Sequence, residues 1–212
     1  KKSYHIKRRT KLSRFRGLPT VFDIALLPFD RTDPKPAQPI TVLPSGDTRW
    51  QKGLYETHGF TADDKGIVFS GCSDPKAPWN NDILIANPTT RDLTDQVTDS
   101  PEWDEHAHFQ PGTRRLLYSS ARGIKKRRTV LFPNAEWWVR EADGTHHRLT
   151  WFTDQSWPLR IASGPDGKSN AIPSTNLFAA DGAWSPDGSA YAGVLLIWER
   201  RWPEWIVVVD FK

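Results

Sequence analysis

Methionine is absent from all 212 residues, including the first position. This absence favours a chain that is processed or that belongs to a longer precursor. The only cysteine, Cys72, excludes an internal disulfide and leaves the redox compartment open. No window approaches the roughly 18 consecutive apolar residues of a membrane-spanning helix, so we expect no membrane span.

The sequence also lacks the motifs of several enzyme classes. It has no Gly-x-Ser-x-Gly nucleophile elbow, so a hydrolase domain of that type is excluded from this chain. It has no phosphate-binding glycine loop and no Cys-x-x-Cys pair. Cys72 has no histidine near it in the sequence, and we interpret it as a small apolar filler. The sequence therefore predicts architecture more clearly than activity.

Aromatic residues and turn formers are abundant instead. The chain contains 11 Trp, 10 Phe and 4 Tyr, which supply large apolar side chains for strands, and 17 Pro with 14 Gly. This composition is typical of many short elements joined by turns. The length suits one large all-β domain or two small domains.

The formal net charge of +4 is unevenly distributed. Basic residues crowd residues 1–16 and 125–128. Such clusters can bind phosphates or acidic partners, but they also occur as solvated loops and as charged edges that prevent strand pairing. We favour solvated charge over phosphate binding and expect no nucleic-acid partner, which leaves residues 125–128 available to a protein partner.

Residues 103–120 predict a β-hairpin, with one strand ending at Phe109, a Pro-Gly turn, and a second strand from residue 116. Similar hairpins begin at Phe60 and Trp184, and each is followed by a loop and a third strand. A four-stranded unit that recurs about every 40–50 residues is typical of β-propeller blades. A β-sandwich with coincidentally similar turns is the competing interpretation.

The last hairpin has the most specific motif. Its segment Trp-Ser-Pro-Asp-Gly, residues 184–188, resembles the Phe-Ser-Pro-Asp-Gly-Lys core of the WD40-like repeat in TolB-type β-propellers. Residues 109–112 and 60–64 are degenerate versions, and residues 143–150 resemble the Asp-Gly…Arg-Leu-Thr ending of that repeat. The resemblance covers most of residues 20–212 and implies an all-β propeller fold. Many of these repeats belong to exported bacterial proteins, which implies a periplasmic or extracellular location.

The predicted domain is one propeller segment of about three and a half to four blades. Its units are a partial blade at residues 1–50, blades at 51–100 and 101–175, and a partial or closing blade at 176–212. Propellers close with about four to eight blades, so we expect a fragment of a larger propeller. Closure by a second copy or partner, or a closed four-bladed ring, stays open.

Histidines and carboxylates mark the starts of the first strands of two units. The candidate metal ligands are His58, His106, His108, Asp104 and Glu105, with Glu56 and Asp181 beside them. These donor types suit Zn²⁺ or Mn²⁺. Oligogalacturonide lyases are similar propellers with histidine-rich metal sites, which implies a metal-dependent enzyme acting on polysaccharide. Against a shared site, His58 aligns with Ala107 rather than with either histidine of the second unit. The alternative is that these groups satisfy hydrogen bonds between blades, with no cofactor.

The leading functional hypothesis is a non-catalytic module that binds a protein partner or the remaining blades of the same propeller. A further hypothesis is an accessory part of a larger assembly, whose other chains or domains perform the chemistry. Aromatic and arginine residues are enriched at such interfaces. The predicted binding surface consists of Trp198, Arg200, Arg201, Trp202, Trp205, Arg122, Lys125, Lys126, Arg127 and Arg128. His146 and His147 are adjacent, point to opposite faces of a strand, and are not expected to form one site.

Overall fold

The computed structural model describes residues 24–28, 32, 38, 40–43, 55–72, 80–124, 134–154, 177–197 and 204–211. All regular secondary structure in these ranges is β-strand, which confirms the all-β prediction. No helix in the described part of the chain is long and apolar enough to cross a membrane.

Thirteen strands of the described residues form four antiparallel sheets, and within each sheet every strand pairs with the next one in the chain. Sheets 1 and 2 contain β1 (Ile24–Leu26) and β2 (Ile40–Leu43), then β3 (Glu56–Phe60), β4 (Ile67–Gly71), β5 (Asp82–Ala86) and β6 (Leu93–Gln96). Sheets 3 and 4 contain β7 (Asp104–Phe109), β8 (Leu116–Ser120), β9 (Glu136–Arg140) and β10 (His146–Arg148), then β11 (Leu177–Trp184), β12 (Ala190–Ile197) and β13 (Glu204–Asp210).

The first hairpin turns of sheets 2 and 4 are built alike. In each, a hydroxyl at the turn's start donates to an aspartate two residues later, at 2.7 Å from Thr61 to Asp63 and 2.6 Å from Ser185 to Asp187. The residue after that aspartate has a positive φ, 59° at Asp64 and 71° at Gly188. Short polar side chains and glycine tolerate this conformation. The predicted hairpins therefore form where the turn residues indicated.

The sheets stack face to face in chain order. Leu116 of β8 packs with Val68 of sheet 2, whereas its neighbour Leu117 packs with Leu177 of sheet 4. Sheet 2 likewise uses its other face, including Phe69, against sheet 1. Because successive residues of a strand point to opposite faces, an inner sheet must be apolar on both. This explains why β4, β5 and β8 are buried along their whole length.

Sheets 2 and 3 also repeat a polar contact beyond their fourth strands. Backbone N–H groups of Ile83 and Trp137, each in a third strand, donate to the hydroxyls of Thr98 and Thr150 at 2.9 and 3.0 Å. The fully buried carboxylate of Glu136 accepts from Thr150 at 2.7 Å and from neighbouring donors that include an arginine. A buried charge with several donors is stabilised where an unpaired one would be costly.

Trp137 joins sheets 3 and 4. Its indole is fully buried and donates from Nε1 to the carbonyl oxygen of Ala180 at 3.0 Å. Gly193 of β12 lies under the ring, and a Cβ atom there would stand 2.2 Å from Trp137 Cζ2. Trp184 and Gln110 add hydrogen bonds between the sheets, to the carbonyl oxygens of His108 at 3.0 Å and Gly188 at 2.6 Å.

We expect Gly193→Ala to destabilise the fold by about 1–3 kcal/mol, because the methyl group overpacks the contact with the buried Trp137 ring. Ala192→Ser is the control, since Ala192 is the exposed neighbour on the opposite face of the same strand. Its cost should be within about 0.5 kcal/mol. Urea denaturation followed by tryptophan fluorescence measures both. Equal stability of the two variants would contradict the close packing described.

Candidate functional site

The first strands of sheets 2, 3 and 4 each carry a β-bulge. The register shifts at His58 in β3, at His106 and Ala107 in β7, and at Ala180 and Asp181 in β11. A bulge leaves extra residues opposite the partner strand and redirects their side chains. Since β7 contacts both β3 and β11, the three bulges lie near one another.

The bulge in β7 places a histidine in the left-handed region of backbone conformation. His106 has φ 53°, and this conformation costs a non-glycine residue about 1–2 kcal/mol. Its ring packs against Trp103 and Phe178, with centroids 5.8 Å away in both cases. Packing from two sheets therefore holds a conformation that the isolated strand would avoid.

The predicted ligands His58, His106 and His108 come together. The ring of His58 lies 5.8 Å from that of His106 and 6.3 Å from that of His108, measured between centroids. One ligand atom from each of Glu56, His58 and His106 lies within 4.8 Å of the other two. The alignment of His58 with Ala107 assumed regular strands, and the bulges remove that objection.

A hydrogen-bonded group supports these side chains from inside. Nε2 of His58 lies 3.0 Å from the hydroxyl of Ser70, which donates to Glu105 Oε1 at 3.3 Å. Asn81 also donates to Glu105 Oε1, at 3.4 Å, and Glu105 Oε2 lies 3.7 Å from His106 Nε2. Nδ1 of His106 is buried and has no hydrogen-bond partner. The predicted residue Glu105 thus belongs to this group, and Ser70 and Asn81 were not foreseen.

His108 faces sheet 4. Its Nε2 lies 2.5 Å from Oδ1 of Asp181, whose side chain is 60% exposed. The ring of the fully buried Tyr191 lies 6.4 Å from that of His108. The tyrosine hydroxyl is buried and has no hydrogen-bond partner. His108 and Asp181 therefore form the solvent-facing side of the cluster.

Burial determines the protonation of the cluster. Desolvation, together with the neighbouring histidines, lowers the pKa of His58 to about 3. Desolvation lowers the pKa of His106 to about 4, although Asp181 opposes the shift. Burial and the adjacent Glu56 raise the pKa of Glu105 well above its usual range. At neutral pH both imidazoles are uncharged, which is the form that donates a lone pair to a metal.

Asp104 contacts a different set of groups from the other predicted ligands. It is fully buried, and its Oδ2 accepts a hydrogen bond from Ser100 at 3.1 Å. Burial is the main cause that raises its pKa to about 6. Burial and then the charge of Asp104 raise the pKa of Asp82, at the start of β5, to about 7. These two carboxyl groups form a second polar pair between sheets 2 and 3.

Most of the predicted binding surface lies outside the described residues. This applies to Trp198, Arg200, Arg201, Trp202, Lys125, Lys126, Arg127 and Arg128, and to the side chain of Trp205, whose backbone belongs to β13. Arg122 is half-buried, and its guanidinium lies over the ring of Trp138, 5.3 Å from the centroid. Arg122 therefore packs against its own sheet.

An uncovered apolar face on sheet 4 was not foreseen. Ile206 and Val208 of β13 are 79% and 60% exposed, and both point away from sheet 3. The sequence of β13 contains the run Ile-Val-Val-Val, which is typical of a strand buried on both faces. The signal was therefore present in the sequence, but it predicted burial rather than exposure.

The adjacent histidines of β10 separate as expected from strand geometry. His146 is half-buried, with Nδ1 2.8 Å from the hydroxyl of Tyr118, and His147 is exposed. The two side chains therefore have different environments, and neither belongs to the cluster of His58, His106 and His108.

Comparison of the chain with protein-family models gives no match, and comparison with curated proteins gives none either.

We expect the Asp82–Asp104 pair to make stability fall as the pH rises. Both carboxyl groups have a pKa raised by folding, so the folded state holds protons that the unfolded state releases from about pH 4 upward. The contribution of this pair to the free energy of unfolding should drop by roughly 2–5 kcal/mol between pH 4 and pH 7. Folding lowers the pKa of His58 and His106, which makes stability rise over the same range, so the contribution of the pair is measured as a difference between variants. Asp82→Asn should remove the downward contribution of Asp82, so the stability of this variant should rise more with pH than that of the unmodified chain. Asp64→Asn, at an exposed turn, should keep the pH dependence of the unmodified chain. Urea denaturation at several pH values measures the slope, and identical slopes in both variants would contradict the assignment.

Proposed function

We propose that the chain is part of a TolB-like β-propeller, with the four sheets as blades, that serves as a non-catalytic protein-binding module. Consecutive antiparallel meanders stacked by their faces support this proposal, and two of them, sheets 2 and 3, have four strands among the described residues. The repeated turn and the repeated threonine contact support it too, since they make sheets 2, 3 and 4 variants of one unit. An exported location follows from the same resemblance and is part of the proposal.

The observation that carries the interface is a difference in burial at matched positions. Ile83, Trp137 and Ile206 occupy equivalent positions in the third strands of sheets 2, 3 and 4. Their partners in the second strands are Ser70, Ser119 and Val194, which lie equally far from the first hairpin turn of each sheet. The first two are fully buried, whereas Ile206 is 79% exposed. Ile85, Val139 and Val208 form a second such set, at 7%, 4% and 60%.

In sheets 2 and 3 these positions face the sheet that follows. On the same face of sheet 4 the described residues include Ala192, Ile206 and Val208, with the charged Asp210 at the edge. Val194 lies on this face too, and it packs partly against the cluster of Trp103 and Phe178. Covering Ile206 and Val208 would contribute about 2–4 kcal/mol from apolar burial. This corresponds to a factor of roughly 30–1,000 in an association constant. We therefore infer that the protein interface lies on this face, with a β-sheet as the partner, and that a second copy of the chain can supply that sheet.

Ile206→Asp tests the proposal. The variant should leave the free energy of unfolding nearly unchanged, since the side chain is exposed, and should weaken association by roughly 30-fold or more. The measurement is sedimentation velocity of the purified chain over a wide concentration range, because the exposed face should drive self-association when no other sheet covers it.

Ala142→Asp is the matched control, because it adds the same charge at an exposed turn of sheet 3. It should associate like the unmodified chain. A chain that sediments as a monomer at every concentration would contradict the proposed interface. So would equal association of the Ile206→Asp variant.

A further inference from the structure

We propose that Glu56, His58 and His106 bind one divalent transition-metal ion of the zinc or manganese class. This site is separate from the proposed interface, since its ligands belong to β3 and β7 and the uncovered face belongs to β12 and β13. The two proposals can therefore fail independently.

The donor geometry is close to that of a metal site. The ligand atoms of the three residues lie within 4.8 Å of one another. A tetrahedral ion with bonds of about 2.0–2.1 Å needs ligand atoms about 3.3 Å apart. The difference is within reach of side-chain rotation, because Glu56 is exposed and Glu56 and His58 come from the same strand.

The surrounding groups hold the ligands in place. The bulges direct His58 and His106 toward each other from two different sheets. Ser70 fixes one nitrogen of His58, and Glu105 lies beside Nε2 of His106. Carboxylates and hydroxyls in such positions orient ligating histidines. Nδ1 of His106 is buried with no partner, and a metal ion would satisfy this nitrogen.

The donor set indicates which class of metal binds, and it leaves one coordination position of the ion open. Two imidazoles and one carboxylate suit Zn²⁺ or Mn²⁺, whereas Ca²⁺ and Mg²⁺ prefer oxygen ligands only. Three protein ligands leave the fourth position of a tetrahedral ion for water or for an oxygen atom of a bound molecule. His108, whose ring lies 6.3 Å from that of His58, and its exposed partner Asp181 provide further polar groups next to the ligands.

Titration calorimetry with Zn²⁺ alone tests the site on the chelator-treated chain. We expect one ion per chain, no saturable binding of Ca²⁺, and a thermal midpoint that rises with Zn²⁺. Glu56→Gln and His58→Gln should each lower the Zn²⁺ association constant at least about tenfold. His147→Gln is the matched control, because it removes one exposed histidine of β10 and should bind Zn²⁺ unchanged.

A second measurement covers variants that fold poorly. His106→Gln alters a strained, packed position, so its result counts only if its circular dichroism matches that of the unmodified chain. Glu56→Gln changes an exposed side chain and should leave the fold intact, so loss of Zn²⁺ binding in this variant reports on the site itself. Co²⁺ should give a visible absorption spectrum of low coordination number that changes in Glu56→Gln and not in His147→Gln. The proposal is overturned by no saturable Zn²⁺ binding, by binding that survives both ligand variants, or by binding lost in His147→Gln.

Discussion

The two-residue alternation of β-strands, applied to a stack of sheets, is the constraint on which this structure depends. Leu116 and Leu117 are neighbours in sequence, yet they pack against different sheets. An inner strand must therefore be apolar at consecutive positions, as β4 and β8 are, whereas the outer strand β6 alternates between half-buried and exposed residues. The close stacking of sheets 3 and 4 also favours glycine at residue 193, because a Cβ atom there would lie 2.2 Å from Trp137 Cζ2 and would force the ring to shift.

Bulges interrupt this alternation where the polar cluster forms. A regular strand would send alternate residues into the apolar layers between sheets, and Ala107 does lie there. The extra residues of β3 and β7 redirect His58 and His106 so that their ligand atoms lie near that of Glu56, while the His106 ring still packs against Trp103 and Phe178. The energetic cost is visible in the positive φ of His106. Strain at a cluster of potential ligands is consistent with a site selected for binding rather than for stability.

Local signals predicted the strands and turns, because Ser-Pro-Asp-Gly at residues 185–188 specifies its own turn through hydrogen bonds within a few residues. The site was predicted less completely. Asp104 and Glu105 were grouped, although neighbouring residues of a strand point to opposite sides, and only Glu105 joins the histidines. Bulges could not be read from the sequence, since they depend on pairing with another strand. The exposure of Ile206 depends on which sheet lies opposite, and this is a tertiary property.

The central claim is that bulged first strands of neighbouring sheets bring His58 into contact with His106 and His108. Nuclear Overhauser spectroscopy of the chain with labelled histidines tests it most directly, because it detects protons of rings that lie close together. The structure predicts cross-peaks from His58 to both other rings, whose centroids lie 5.8 and 6.3 Å away, and none from His58 to His147. Cross-peaks absent between His58 and both histidines, in a folded sample, would contradict the account.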